Sequence, residues 1–183
     1  MPAFNIQNFR AALVRDGARQ NLFEVDITFP GAAAAAPGTA QSNFTFFCKA
    51  ASLPPEEIGV VPVPYFGRQI KVPGNRTFPE WSLTVINDET FDVRAAFESW
   101  SNGINAHLAN VRAPNAITST GYASSPTVIQ WSKDGTTQVA KYQLINAWPS
   151  AVSPQDLAWD ANDQIEEFQV TMQYDYWVNA VSL

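Results

Sequence analysis

Apolar and polar positions change period several times along the chain, and each change marks an element. Ile6, Phe9 and Leu13 fall at helical spacing with Gly17 as a stop, which predicts a short N-terminal helix. Phe23, Val25, Ile27 and Phe29 then alternate with Glu24, Asp26 and Thr28, the pattern of a half-buried strand with an acidic outer face. Gly31 to Gly38 (GAAAAAPG) holds too few alanines to sustain a helix and reads as a mobile loop at a hairpin tip. Phe44 to Lys49 (FTFFCK) returns as a strand rich in aromatics.

The stretch from Leu53 to Trp100 is the most structured by its pattern. Pro62 and Pro64 share one parity, so one edge of their strand lacks two N–H donors, whereas Val61, Val63 and Tyr65 keep theirs on the other. Val72-Pro73-Gly74-Asn75 places Pro and Gly where a type II turn wants them. Trp81, Leu83 and Val85 alternate with Ser82 and Thr84 as a strand with one strongly apolar face. Asn87-Asp88-Glu89 supplies a cap and negative charge for a helix whose stripe is Val93, Phe97 and Trp100, with Gly103 as its end.

Residues 110 to 126 form a polar segment too long for an ordinary connection. Two strand-like runs, Thr127 to Ser132 and Gln138 to Asn146, flank Lys133-Asp134-Gly135-Thr136, a hairpin signal. Ala147 to Asn162 reads as a connecting arm with two prolines, and Phe168, Val170, Met172, Tyr174 and Tyr176 define one long final strand. About seven or eight strands and one principal helix predict a mainly β fold, an antiparallel sandwich or barrel with a packed helix. The whole chain reads as one domain with flexible insertions at about 31–43 and about 110–126.

Composition sharpens this picture. The chain has 183 residues, 46% of them apolar but only 15% charged, so little charge is left for its surface and self-association is the simplest cover. A net charge of −6 argues against gripping nucleic acid, which requires cations to displace condensed counterions. With one cysteine no internal disulfide forms, and with no signal peptide and no long apolar run the expectation is a soluble chain folded in the cytosol, with no stable membrane insertion.

Candidate chemistry is sparse. His107 reads as a solvent-facing residue past the helix, Cys48 as a buried structural thiol, and Glu56-Glu57 as neighbours that point apart in extended chain. No metal, nucleotide or hydrolase spacing occurs, so no enzyme activity, cofactor, metal site or catalytic residue is expected. The six tryptophans would suit a monomeric carbohydrate-binding module, but Trp81, Trp100, Trp148 and Trp177 sit on apolar faces or at element ends, where core or interface use is favoured. Arg68, Lys71 and Arg76 are the one basic cluster, suited to ion pairs inside the subunit or across an interface.

Taken in series, NLFEVDI (Asn21 to Ile27), FTFFCKAASLP (Phe44 to Pro54), FGRQIKVPGNRTFPEWSLTVINDETFDVRAAFESW (Phe66 to Trp100) and NAWPSAVSPQDLAWDANDQIEEFQVTMQYDYW (Asn146 to Trp177) closely resemble the major tail-tube proteins of contractile-tailed, myovirus-type bacteriophages. The resemblance implies a structural subunit of hexameric rings that stack into a tube through which DNA passes on ejection. It implies as partners the chain itself, the tail sheath protein, a tape-measure protein and a baseplate tube initiator, with location in the virion after synthesis in the host bacterial cytoplasm. A tube subunit of a phage-derived contractile injection device that delivers protein is the alternative. The expected inter-subunit interface is Val61, Val63, Tyr65, Arg68, Lys71, Asn75 and Arg76; Glu24, Asp26, Gln169 and Gln173 are the lumen candidates, since an acidic wall would repel passing DNA, with an outward-facing position of the four as the alternative.

Overall fold

Two four-stranded antiparallel sheets and one separate hairpin account for the strands of the computed structural model, which describes residues 5–13, 16–34, 36 and 38–180. The first sheet runs β1 (Phe23–Asp26), β6 (Thr127–Trp131), β7 (Gln138–Ile145), β10 (Tyr176–Asn179). The second runs β2 (Cys48–Ala51), β5 (Trp81–Ile86), β9 (Glu167–Gln173), β8 (Trp148–Val152). Strands β3 (Glu57–Tyr65) and β4 (Arg68–Thr77) pair only with each other. Helices α1 (Ile6–Ala12), α2 (Ala40–Phe47), α3 (Asp92–Ile104) and α4 (Ser119–Tyr122) complete the described elements.

Period-two patterning explains the sandwich. Val25 and Val128 from the first sheet and Leu83, Val85, Phe168, Val170 and Met172 from the second are buried in a single core, so the two sheets face each other across it. Helix α3 lays Val93, Phe97 and Trp100 into the same core, as its stripe predicts. Phe97 meets Phe29, Phe44 and Phe168 edge to face, with ring centroids 5.3, 5.8 and 6.4 Å away. Both buried indoles find acceptors: Trp81 Nε1 donates to Ser52 O at 2.7 Å and Trp100 Nε1 to Tyr122 O at 2.6 Å.

Several local expectations are corrected. Phe44 to Phe47 belong to helix α2, because Ala40 and Phe44, four residues apart, bury one helical face; the strand begins only at Cys48. Gly31 to Gly38 is not a hairpin tip, since β1 pairs with β6; residues 31–33 form a 3-10 turn whose Ala32 and Ala33 are buried, and residues 35 and 37 lie outside the described part. Between residues 110 and 126 the chain forms a 3-10 turn at Pro114–Ala116 and helix α4, with Ala116 buried. Helix α3 starts later than Asn87-Asp88-Glu89, at Asp92, with Phe91 at φ 56° before it and no side-chain cap, while Asn87 is buried and donates to Glu166 Oε2 at 3.2 Å. Gly103 lies inside α3, not after it.

The C-terminal region differs in two ways. Trp148–Val152, expected as connecting arm, forms edge strand β8, which accommodates Pro149 beside a bulge. The single long strand divides into β9 and β10 in different sheets, with Tyr174 and Asp175 crossing between them; Asp175 Oδ2 accepts from Asn146 Nδ2 at 2.6 Å. The Asp134-Gly135 hairpin forms as expected, with Gly135 at φ 69° and Asp134 Oδ1 accepting from the N–H groups of Thr136 and Thr137.

Burial pushes the Cys48 thiol up to about 12, so it stays protonated and inert. Thiol reagents at about pH 8 are expected to leave the native protein unlabelled while the urea-unfolded chain reacts at its one cysteine. Equal labelling rates in the two states would contradict this burial.

Candidate functional site

The β3–β4 hairpin has no buried residue on either face. An isolated two-stranded ribbon is marginal in water, so something must cover it in the working state. Its reversal is Phe66-Gly67, with φ of 40° and 79°, the paired positive values of a type I′ turn. The expected turn at Val72 to Asn75 is therefore incorrect: these residues continue β4. There Gly74 and Asn75 oppose Gly59 as a bulge, and a Cβ on Gly74 would lie 3.1 Å from the Gly59 carbonyl oxygen.

Register sorts the ribbon into two faces. Tyr65 pairs with Arg68, Val63 with Ile70 and Val61 with Val72, so these six share one face. All five apolar members are exposed, Tyr65 at 64% and Ile70 at 57%. A two-residue loop makes Tyr65 and Arg68 a hydrogen-bonded pair, and the pairs two residues on repeat this. The outward N–H positions on β3 then fall at Pro62 and Pro64, which have none, as the one-sided reading of that strand requires. Near the tip, the β4 edge at Gln69 and Lys71 offers the donors to another chain, while on β3 the first outward N–H is that of Val60, further toward the root.

The seven interface candidates thus divide. Val61, Val63, Tyr65 and Arg68 are brought together; Lys71 lies on the opposite face; Asn75 sits in the bulge. Arg76 is at the root, where it pairs with Glu56 at 3.1 Å, an ion pair inside the subunit. Phe66, Ile70 and Val72 stand outside the seven because the turn is expected at Val72 to Asn75; of the true reversal only Gly67 suits a positive φ, whereas Phe66 at φ 40° is a residue that rarely adopts one.

The four lumen candidates do not form one group. Glu24 and Asp26 lie on the outer face of the first sheet, because Val25 between them is core; Gln169 and Gln173 lie on the outer face of the second, because Phe168, Val170 and Met172 are core. Glu24 Oε2 accepts from Trp131 Nε1 at 2.9 Å, and Gln173 Nε2 donates to Glu80 Oε2 at 3.3 Å. Back-to-back outer faces cannot both line one channel. His107 is exposed, and among the described residues no three His, Cys, Asp or Glu side chains converge as a metal site would.

Comparison with known proteins places this architecture. The tail tube protein gp19 of Enterobacteria phage T4 is 37% identical over 162 residues, covering 88% of this chain and 91% of the relative. The tail tube protein of Serratia phage KSP90 is 28% identical over 172 residues, covering 92% and 93%. Among solved structures, the fold is shared with a chain of the anti-feeding prophage cap (TM-score 0.63, 15% identity, 91% and 92% covered). It is also shared with a chain of the sheath-tube complex of an extracellular contractile injection system (TM-score 0.59, 16% identity, 98% and 100% covered). The phage tail tube protein family matches residues 18–180, and the chain belongs to that family.

Proposed function

We propose that this chain assembles into six-membered rings that stack as the tube of a contractile phage tail, and that DNA passes through the tube on ejection. The observation that carries the reading is the β3–β4 ribbon, an apolar hairpin without cover in a subunit of this family. Closing a ring supplies each exposed edge and face with a neighbour. The tube is a virion component built in the host cytoplasm on a baseplate initiator, its length set by a tape-measure protein, its outer wall held by sheath, and it performs no catalysis. The two sequence relatives reported above are phage tail tube proteins, which supports DNA rather than protein as the cargo; the solved structures reported with them share the fold alone. The segments at about 31–43 and about 110–126 are proposed as the flexible parts of the single domain.

Of the two sheet faces, the outer face of the second suits the lumen. Its positions on β5 and β9 include Ser82, Thr84, Gln169, Thr171 and Gln173, small or neutral polar residues, beside Ile86 and Glu167, and Lys49 on β2 is already paired with Glu167. The first sheet instead exposes Tyr176 and Val178, which favours contact with protein. Gln169→Lys with Gln173→Lys is expected to leave tubes intact but slow DNA ejection from assembled particles at low salt, an effect that added salt reverses. Unchanged ejection kinetics would remove this face from the lumen.

Negative-stain electron microscopy of the purified protein, with and without a tail initiator, tests the assembly itself. Rings or tubes are the expected result. A particle that stays strictly monomeric at high concentration in both conditions would overturn it.

A further inference from the structure

Charge is segregated along this chain in a way that the fold turns into a polarity. Residues 58–79, most of the hairpin, contain Arg68, Lys71 and Arg76 and no acidic residue. Beyond Lys141 the sequence has no Lys or Arg, and the loop between β8 and β9 carries Asp156, Asp160, Asp163 and Glu166. The same loop exposes Leu157 (79%), Trp159 (102%) and Ile165 (72%), an unusual amount of apolar surface for an acidic loop. These side chains and Asp156 line an open hollow of about 680 Å³.

Hairpin and loop stand at opposite ends of the second sheet. Strand β5 enters from the hairpin at Trp81, opposite Met172 near the end of β9, and leaves at Ile86, opposite Glu167 at its start. The hairpin root is pinned at the first end by Tyr174 Oη and Trp177 Nε1, which donate to Pro55 O at 3.2 and 3.3 Å. The acidic loop is pinned at the other, where Glu166 accepts from Asn87 and Gln155. Among the described residues Arg68, Asp156, Asp160 and Asp163 make no ion pair within the chain.

We propose that the hairpin tip of one copy docks into the acidic, apolar loop of a second copy. Tyr65 and Phe66, packed edge to face at 4.6 Å with Phe66 91% exposed, form an aromatic knob for the hollow beside Leu157, Trp159 and Ile165. Arg68, next to the knob on the apolar face, meets the carboxylates of Asp156, Asp160 and Asp163. Because donor and acceptor surfaces differ and lie at opposite ends of the sheet, the contact is head to tail and propagates from copy to copy. This rests on the tube reading and assigns one contact within it.

A photoreactive benzoylphenylalanine in place of Phe66 tests the assignment in assembled full-length protein. Mass spectrometry should place the cross-link in residues 154–166 of another copy; digestion must use a protease that cleaves at acidic residues, because trypsin has no site after Lys141. In parallel, Arg68→Glu should raise the concentration needed for assembly at least about tenfold, and Asp156, Asp160 and Asp163 changed together to Asn should do the same while weakening the salt dependence. If wild-type tubes form but the cross-links map elsewhere, the docking is wrong and the tube reading stands. If the wild type never assembles under any condition, both fall.

Discussion

Gly103→Ala is expected to lower the stability of the subunit by about 2 kcal/mol, which a urea titration followed by far-UV circular dichroism would show as an earlier midpoint. Helix propensity alone predicts the opposite sign, since Ala is about 1 kcal/mol better than Gly in a helix interior, and Gly103 lies within α3. Packing decides the matter. A Cβ at Gly103 would fall on the carbonyl oxygen of Ala32, and the obstacle is backbone rather than the far end of a flexible side chain. Relief therefore requires α3 or the 31–33 turn to move, and α3 carries Phe97 and Trp100 into the centre of the core. Such overpacking costs about 1–3 kcal/mol before any propensity gain is subtracted, a large share of a typical total of about 5–15 kcal/mol. Gly38→Ala serves as the contrast, because nothing lies within 4 Å of its would-be Cβ. It should be neutral or slightly stabilising, and a stable Gly103→Ala protein would show that helix and turn are not in contact.

The same glycine shows where pattern reading succeeds and where it stops. Elements with one uninterrupted period were legible: Trp81, Leu83 and Val85, then Val93, Phe97 and Trp100, stand in the core as their spacing predicts. Gly103 looked like a helix stop because local sequence cannot show a backbone passing over it. Phe44 to Phe47 looked like strand for a similar reason: aromatics favour sheet on average, but packing of Phe44 against Phe29 and Phe97 selects helix. The division of the last strand follows from tertiary hydrogen bonds of Asp175 that period-two alternation continues straight through.

At the candidate site, Val61, Val63, Tyr65 and Arg68 were legible because alternation and the parity of Pro62 and Pro64 are properties of the strand itself. Ile70 and Val72 were not, because a Pro-Gly pair outranked Phe66-Gly67 as a turn signal. Grouping Glu24 and Asp26 with Gln169 and Gln173 failed for a deeper reason. Alternation says which residues face away from the core, but it cannot say from which of two sheets.

Excising the hairpin, residues 57–77, and closing the gap with a short Gly-Ser linker should abolish assembly while leaving the fold nearly as stable as before. No residue of β3 or β4 is buried, so removal takes nothing from the core. The flanking root does not depend on the ribbon: Pro54 is buried, Trp81 holds Ser52 O, Tyr174 and Trp177 hold Pro55 O, and Phe78 lies 6.1 Å from the ring of Tyr174. Shortening the excursion changes loop closure by only about 0.6 kcal/mol per halving of length, in the favourable direction. Loss of the Arg76–Glu56 pair is minor, because it is exposed. Thermal midpoint and core tryptophan fluorescence should thus hold within a few degrees and a few nanometres of wild type. Rings and tubes, read by sedimentation and negative stain, should vanish because the exposed apolar face of the ribbon and its donor-bearing β4 edge are gone. Tubes of normal yield from the truncated chain would remove the hairpin from assembly, whereas an unfolded product would show that the ribbon stabilises the subunit from which it projects.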